Sequence, residues 1–342
     1  MRKFLNTLFI TTQGAYLHKE GEAIAIKNGD ELLLRMPAHT IESLVCFGRV
    51  SLSPPLLGMC GEKRIQVAFL SENGEFEARV QGKVAGNVLL RRTQYRWADD
   101  ASRSAGIAQN MVAAKVANAR TVLLRAKREM TAPAVIMQEA IRRMAGIGDH
   151  LLRQGEPVET LRAMEGDAAK TYFSVFDEMI VQQKDGFRFG GRTRRPPRDA
   201  VNALLSFAYT LLMHDCTGAL EGVGLDPCVG FLHADRPGRP SLALDLMEEF
   251  RPALADRLVL TLINRQQVKL SDFESREDGG VWMKPDARRT FLETWQKRKR
   301  EEVVHPFLNE PAPVGLFPHI QALLLARHLR GDLDCYPATI WK

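Results

Sequence analysis

The five cysteines, Cys46, Cys60, Cys216, Cys228 and Cys335, form no Cys-x-x-Cys pair and fit no zinc-module spacing. Their odd number and scatter read as reduced, mostly buried thiols, which excludes a disulfide scaffold. Long apolar runs are missing too. The longest, around Ala203 to Met213, is too short to span a bilayer. The amino terminus starts basic and then apolar, but its apolar part is short, polar-interrupted and without a small-residue cleavage site. It reads as a strand rather than a signal peptide. These absences place the chain in the cytoplasm, away from membranes. The sequence also lacks His-Glu-x-x-His, Gly-x-x-x-x-Gly-Lys and Gly-x-Ser-x-Gly, so no short motif announces a zinc protease, a P-loop or a serine hydrolase. No internal repeat or low-complexity tract is present.

What is there is 342 residues, enough for two domains or one large one, with 45% hydrophobic residues to build a core. The net charge of +6 and pI of about 9.1 favour an anionic partner such as nucleic acid and say nothing about fold. Residues 1–95 read as β-rich. Alternating segments flank a Glu-Gly turn at Gly21, and Asn28-Gly29 and Asn73-Gly74 are hairpin signals. Residues 42–48 and 64–70 read as buried strands. Between them, Ser53-Pro-Pro starts a short helix, with serine as cap and proline in the first turn. After Val80 the pattern turns helical. Val112, Val116, Ala119 and Leu123 recur at helical spacing, and helices are predicted over about 134–147, 156–182, 198–217, 241–255, 286–302 and 317–330. The expected fold is α+β: a small β-rich domain over 1–95, then a larger all-α catalytic domain over 96–342.

Basic residues concentrate in three places: Arg91–Arg128, Lys184–Arg198 and Arg288–Arg300. Any one of these reads first as a solvated face. Only the middle run lies in a glycine-rich loop leading to a helix amino terminus, where phosphate also meets backbone N–H groups. Acids surround one histidine: Glu165, His233, Asp245 and Glu248. Asp245 and Glu248 are three apart, so on a helix they share a face. A buried carboxylate needs a counter-charge, from a divalent cation or from Arg251 or Arg257. Taken alone, that segment reads as a salt-bridged structural helix before it reads as a metal site. Glu165 precedes Gly166, which would let another group come close to the backbone. Oxygen ligands with one nitrogen suit magnesium or manganese better than zinc.

The words around these residues are more specific than their spacing. Residues 195–212, Arg-Pro-Pro-Arg-Asp-Ala-Val-Asn-Ala-Leu-Leu-Ser-Phe-Ala-Tyr-Thr-Leu-Leu, resemble the helix signature of the CRISPR-associated adaptation integrases, the Cas one family. Residues 164–173, beginning Met-Glu-Gly-Asp-Ala-Ala-Lys, resemble that family's first acidic motif. Gly230-Phe-Leu-His233 and Ser241–Pro252 resemble its histidine and second acidic motifs, and Ala114–Arg120 its lysine–asparagine–arginine helix. All four stand in the family's order, over essentially the whole chain, and the chain looks most like the I-C branch.

The resemblance implies a metal-dependent DNA integrase of CRISPR adaptation, active in spacer acquisition for antiviral defence. It implies a homodimer formed through the β-rich domain, joined by a ferredoxin-like Cas two protein into a heterohexamer. The substrates implied are a DNA duplex with free 3′ ends and the CRISPR repeat. The metal ligands carry over onto Glu165, His233 and Glu248, binding Mg2+ or Mn2+. Asp245 takes a supporting catalytic role, and Glu249 competes with Glu248 for the ligand position. Helix phase favours Glu248. Because a ligating imidazole must be neutral, activity is expected to fall below about pH 6.5. Arg192, Arg194, Arg195 and Arg198 are expected to guide DNA, with Lys115, Asn118 and Arg120 as a second set. The alternative is a metal-dependent endonuclease acting on branched DNA with water as nucleophile.

Overall fold

The computed structural model describes residues 7–63, 65–72, 74, 76–80, 88–130, 135–153 and 155–341. It divides into two compact units. One takes in Met1–Ala85 with Gln296–Glu301, the other Gly86–Trp295 with Glu302–Lys342. Among the described residues, no helix is long and apolar enough to cross a membrane.

The first unit contains β1 (Thr7–Ile10), β2 (Ala15–Glu20), β3 (Ala23–Asn28), β4 (Glu31–Pro37), β5 (Ser43–Phe47), β6 (Ser51–Leu52), α1 (Pro54–Lys63), β7 (Gln66–Leu70) and β8 (Phe76–Val80). They form two four-stranded sheets, β1-β5-β7-β8 and β4-β3-β2-β6. The predicted hairpins β2–β3 and β3–β4 are present. Gly21 and Gly29 open their two-residue turns with φ of 58° and 59°, a left-handed conformation that glycine adopts without a Cβ clash. The predicted buried strands are β5 and β7, which pair in parallel with Ser43 opposite Gln66. Parallel neighbours need a crossover, and α1 lies on it. The predicted cap is there: Ser53 Oγ accepts from Leu56 N at 3.3 Å. Leu17, Ile24, Leu44 and Leu56 are wholly buried at the centre of this core. Residues 1–6, Arg64 and Asn73, on which some strand and turn readings lean, lie outside the described residues.

The second unit contains α2 (Val88–Asp99), α3 (Ala101–Glu129), α4 (Val135–Arg153), α5 (Val158–Ser174), α6 (Ala200–Val223), α7 (Ser241–Met247), α8 (Arg257–Asn264), α9 (Pro285–Arg300, as far as Trp295) and α10 (Phe317–Leu329). The stripe Val112, Val116, Ala119, Leu123 on α3 is buried throughout, as its period requires. α3 packs against α4, α5 and α7 and so forms the spine of the unit.

Four readings of the sequence differ from the structure. The compact units change at Ala85/Gly86 rather than after residue 95, and α2 runs unbroken through that position. The turn cluster near Asp99–Ser104 is instead the start of α3, where the Asp100 carboxylate accepts from Ser102 N and Arg103 N. The second unit is not all-α. It carries two antiparallel strand pairs, β9 (Phe273–Ser275) with β10 (Val281–Met283) and β11 (Glu302–Val304) with β12 (Pro311–Pro313). The helix expected over 241–255 is also broken. α7 ends at Met247, and a π-helical turn, Arg251–Asp256, leads into α8. Pro252 has no N–H for a regular ladder, which accounts for the break.

Candidate active site: an acid–histidine cluster on α3, α5 and α7

Asp245 on α7 is wholly buried and organises the histidine loop. Its Oδ2 accepts from Phe231 N at 2.6 Å and Leu232 N at 2.9 Å, and its Oδ1 from His233 N at 2.9 Å. The His233 ring Nδ1 lies 2.6 Å from the same Oδ1. A proton on Nδ1 faces the carboxylate, which leaves the Nε2 lone pair free. Gly230 permits this approach. A Cβ there would stand 2.8 Å from Asp245 Oδ2 and 2.9 Å from Ser241 Cβ. The loop's carbonyls are held as well. Gln94 of α2 donates to Val229 O at 2.8 Å, Ser104 of α3 to Phe231 O at 3.0 Å, and Arg162 of α5 to Leu232 O. Sequence reasoning found none of these three supports, because nothing local marks them.

Glu165 of α5 and Glu248, just past α7, meet at one cation. The Lys115 ammonium on α3 contacts Glu165 Oε1 and lies 2.5 Å from Glu248 Oε2. Arg251 Nη2 sits 3.2 Å from Glu248 Oε1, so the arginine named from the sequence as a counter-charge is the one in place. Burial pushes the Glu248 carboxyl up, but Arg251, Lys115 and His233 outweigh it and hold it at about 2. Glu248 Oε2 is buried and makes no well-aligned hydrogen bond. Among the described residues, no three His, Cys, Asp or Glu side chains stand together as a ready metal cage. The ammonium lies between two of the expected ligands. Gly166 does not accept a close approach, since a Cβ there would meet nothing within 4 Å.

Asp245 and Glu248 therefore share a turn but serve different ends, and Glu249 serves a third. It is wholly buried and has partners other than Lys115. Thr339 N and Gln321 Nε2 donate to its Oε2 at 2.6 and 2.9 Å, and the Tyr336 hydroxyl donates to Oε1. Burial pushes its carboxyl up to about 7 against these hydrogen bonds. Asn118, expected to contact DNA, belongs to this network. It is wholly buried, donates to Glu249 O and Thr339 O at 2.8 Å each, and accepts from Trp341 N at 2.8 Å.

The basic residues separate in the same way. Arg192 is drawn inward: it donates to Thr193 O, Asn202 Oδ1 and Ser206 Oγ and stacks 5.2 Å from the centre of the Tyr209 ring. Arg251 lies 5.0 Å from the same ring, and the Tyr209 hydroxyl donates to Asp256 at 2.6 Å. Arg198 donates to Asp278 O at 3.1 Å. Arg120 is half-buried. Arg194 and Arg195 are exposed, with no hydrogen bond or ion pair among the described residues. A cavity of about 40 Å³ reaches Lys115, Glu165, Tyr209, Arg251 and Asp256. A wider groove of about 430 Å³ is lined by Lys170, Phe173, Phe189, Gly191 and Arg192. Arg194 lines both. Lys170, one and a half turns beyond Glu165, was not singled out from the sequence.

The family profile described as CRISPR associated protein Cas1 matches residues 8–297. A protein named CRISPR-associated endonuclease Cas1 1, from Chlorobaculum tepidum, is 52% identical over 344 residues, covering all of both chains. A solved casposase bound to integration product aligns with a TM-score of 0.83 at 21% identity, over 98% of this chain and 94% of that one. A chain of a Cas6-RT-Cas1–Cas2 complex also aligns with a TM-score of 0.83 at 21% identity, over 98% of this chain and 36% of that one. At those identities the two structures speak for the fold alone, whereas the profile and the relative cover most or all of the sequence. The chain belongs to the CRISPR-associated Cas1 family.

Proposed function

We propose that this chain is a divalent-metal-dependent DNA integrase that joins the 3′-hydroxyl ends of captured foreign DNA into a CRISPR repeat. One observation carries the reading: Glu165 and Glu248 converge on a single cation position, and His233, whose ring is oriented by Asp245, is near enough to act electrostatically on Glu248. The donor set fits a hard divalent ion. Two carboxylates already share one positive charge, Glu248 Oε2 is buried without an aligned hydrogen bond, and His233 keeps Nε2 free. Glu165, His233 and Glu248 would hold Mg2+ or Mn2+, with Asp245 in support. When bound, the ion polarises phosphoryl oxygens and stabilises charge on the attacking and leaving oxygens.

The remaining work falls to side chains. In the transesterification, a 3′-oxygen forms a bond to a repeat phosphorus as the repeat's own 3′-oxygen departs. One phosphodiester replaces another, and the proton lost by the attacking hydroxyl balances the one gained by the leaving oxygen. Positioning supplies most of the acceleration. Arg194 and Arg195 attract the DNA backbone without reading sequence. Arg192 and Arg198 shape the loop that presents them, and Arg251 keeps Glu248 ionised and aimed. Lys115, Asn118 and Arg120 make a weaker DNA set than their sequence suggests, since Lys115 and Asn118 are buried.

The casposase likeness and the Cas1–Cas2 complex support double-stranded DNA and a Cas2-type protein as partners. A homodimer through the β-rich unit, a heterohexamer and the I-C branch rest on the sequence resemblance, and a cytoplasmic place on the composition of the sequence. The test is joining of a 3′-ended duplex to a supercoiled repeat plasmid. Glu165→Ala, His233→Ala and EDTA should each abolish it, with manganese restoring the chelated sample. Activity that survives exhaustive chelation would remove the metal mechanism. The relatives' name, endonuclease, favours one second reading, hydrolysis by water at the same site; fragments without joined strands would identify it.

A further inference from the structure

Lys115 was expected to meet DNA, yet it is only 8% exposed and its ammonium is shared by Glu165 and Glu248. No phosphate reaches it while both carboxylates are engaged. Its backbone is pinned, because Asn118, one turn further along α3, is tied to the backbone of Glu249, Thr339 and Trp341. The side chain can still move. Four methylenes carry the ammonium, and Asp256 also lines the cavity of about 40 Å³ that Lys115 lines.

We infer that Lys115 is a resident counter-cation: its ammonium holds the place between Glu165 and Glu248 that a divalent ion takes, and it must leave for that ion to bind. The inference rests on the reading of Glu165 and Glu248 as metal ligands. Charge counting gives it content. Two carboxylates face Lys115 and Arg251, so the cluster is neutral without metal. A dication added beside an undisplaced ammonium would leave three like charges within a few ångströms, at low dielectric. Swinging the ammonium out toward Asp256 removes the repulsion while keeping Arg251 on Glu248. Lys115 thus prevents the two acids from repelling one another before metal arrives and lowers metal affinity as a consequence. Once metal is bound and the ammonium has left, two carboxylates, Arg251 and the dication leave the site positive by one charge, which suits the phosphates of the joining strands.

The test is Mn2+ binding to metal-stripped full-length protein, read by the electron paramagnetic resonance of free Mn2+, with no DNA and no turnover. Wild type should bind Mn2+, and Glu248→Ala should lose it. Lys115→Met removes the competing charge and should tighten binding by about tenfold. Lys115→Arg keeps a cation and should stay near wild type. If Lys115→Met folds only with metal, its recovery of helical circular dichroism at Mn2+ concentrations below the wild-type binding midpoint gives the same support. Equal or weaker binding by Lys115→Met, with wild-type binding intact and dependent on Glu248, would overturn the inference and leave the metal site standing. Wild-type protein that binds no Mn2+, or binds it regardless of Glu248, would overturn the metal site and the inference together.

Discussion

Asp245 Oδ1 holds His233 twice, by its backbone N–H at 2.9 Å and by its ring Nδ1 at 2.6 Å. The imidazole is thereby fixed in position and in tautomer by one oxygen, while the second oxygen fixes the two preceding residues.

Asp245→Asn should therefore act on chemistry through His233. An amide offers one acceptor oxygen where four donors point. Joining activity is expected to fall about 10–100-fold, the usual cost of losing such a support. Unpaired N–H groups should also lower stability by about 1–3 kcal/mol. Joining rates and urea unfolding of the same preparation check both; a folded variant with the wild-type rate would detach Asp245 from the site.

Gly230→Ala tests the same loop from its other side. The new Cβ would lie inside contact distance of Asp245 Oδ2 and Ser241, both wholly buried. Forced repacking should destabilise by about 1–3 kcal/mol and reduce joining. Unchanged melting and activity would mean the loop relaxes freely.

Glu249 predicts a pH dependence of stability. Its folded carboxyl is pushed from 4.5 up to about 7, mainly by burial. Between these values the folded chain holds a proton that the unfolded chain has lost, so this group's contribution declines as pH rises from about 4.5 to about 7. Glu249→Gln is neutral throughout, and its amide can donate to Tyr336 while its oxygen accepts from Gln321 and Thr339. The substitution should remove on the order of 2 kcal/mol from the stability difference between pH 5 and pH 8. Urea titrations at both pH values measure it; an undiminished difference would place the titration elsewhere.

Arg194 and Arg195 should separate from Asn118 in DNA binding. Replacing both arginines with alanine should weaken binding and flatten the log–log salt slope by about 2, one counterion for each lost phosphate contact. Asn118→Ala should cost about 2–4 kcal/mol of stability through its lost buried bonds. Its salt slope should stay that of wild type. A flattened slope in Asn118→Ala, measured on folded protein, would return that residue to the DNA track.

Local features were legible in the sequence. The hairpin glycines, the Ser53 cap and the α3 stripe each depend on neighbours a few residues away. The acids and the histidine were legible as words, and Arg251 as a counter-charge. What their side chains do was not, because the deciding partners are remote. Lys115 meets Glu165 across 50 positions and Asn118 meets Trp341 across 223. No period or spacing encodes such a meeting, so a lysine and an asparagine on one helix face looked like DNA contacts. The helix read over 241–255 runs straight through Pro252, so its break was not foreseen. Glu248, at the lysine, and Glu249, in the buried network with Tyr336, are adjacent in the turn between α7 and the π-helical segment.

The histidine loop also bears on how the molecule assembles. Its carbonyls wait for Gln94, Ser104 and Arg162, which lie 135, 127 and 70 positions away. Contacts of that sequence separation close late, after most of the chain's entropy has been spent. His233 should acquire its final environment among the last steps of folding, and its ring resonance would then report completion more faithfully than helix content, which forms early.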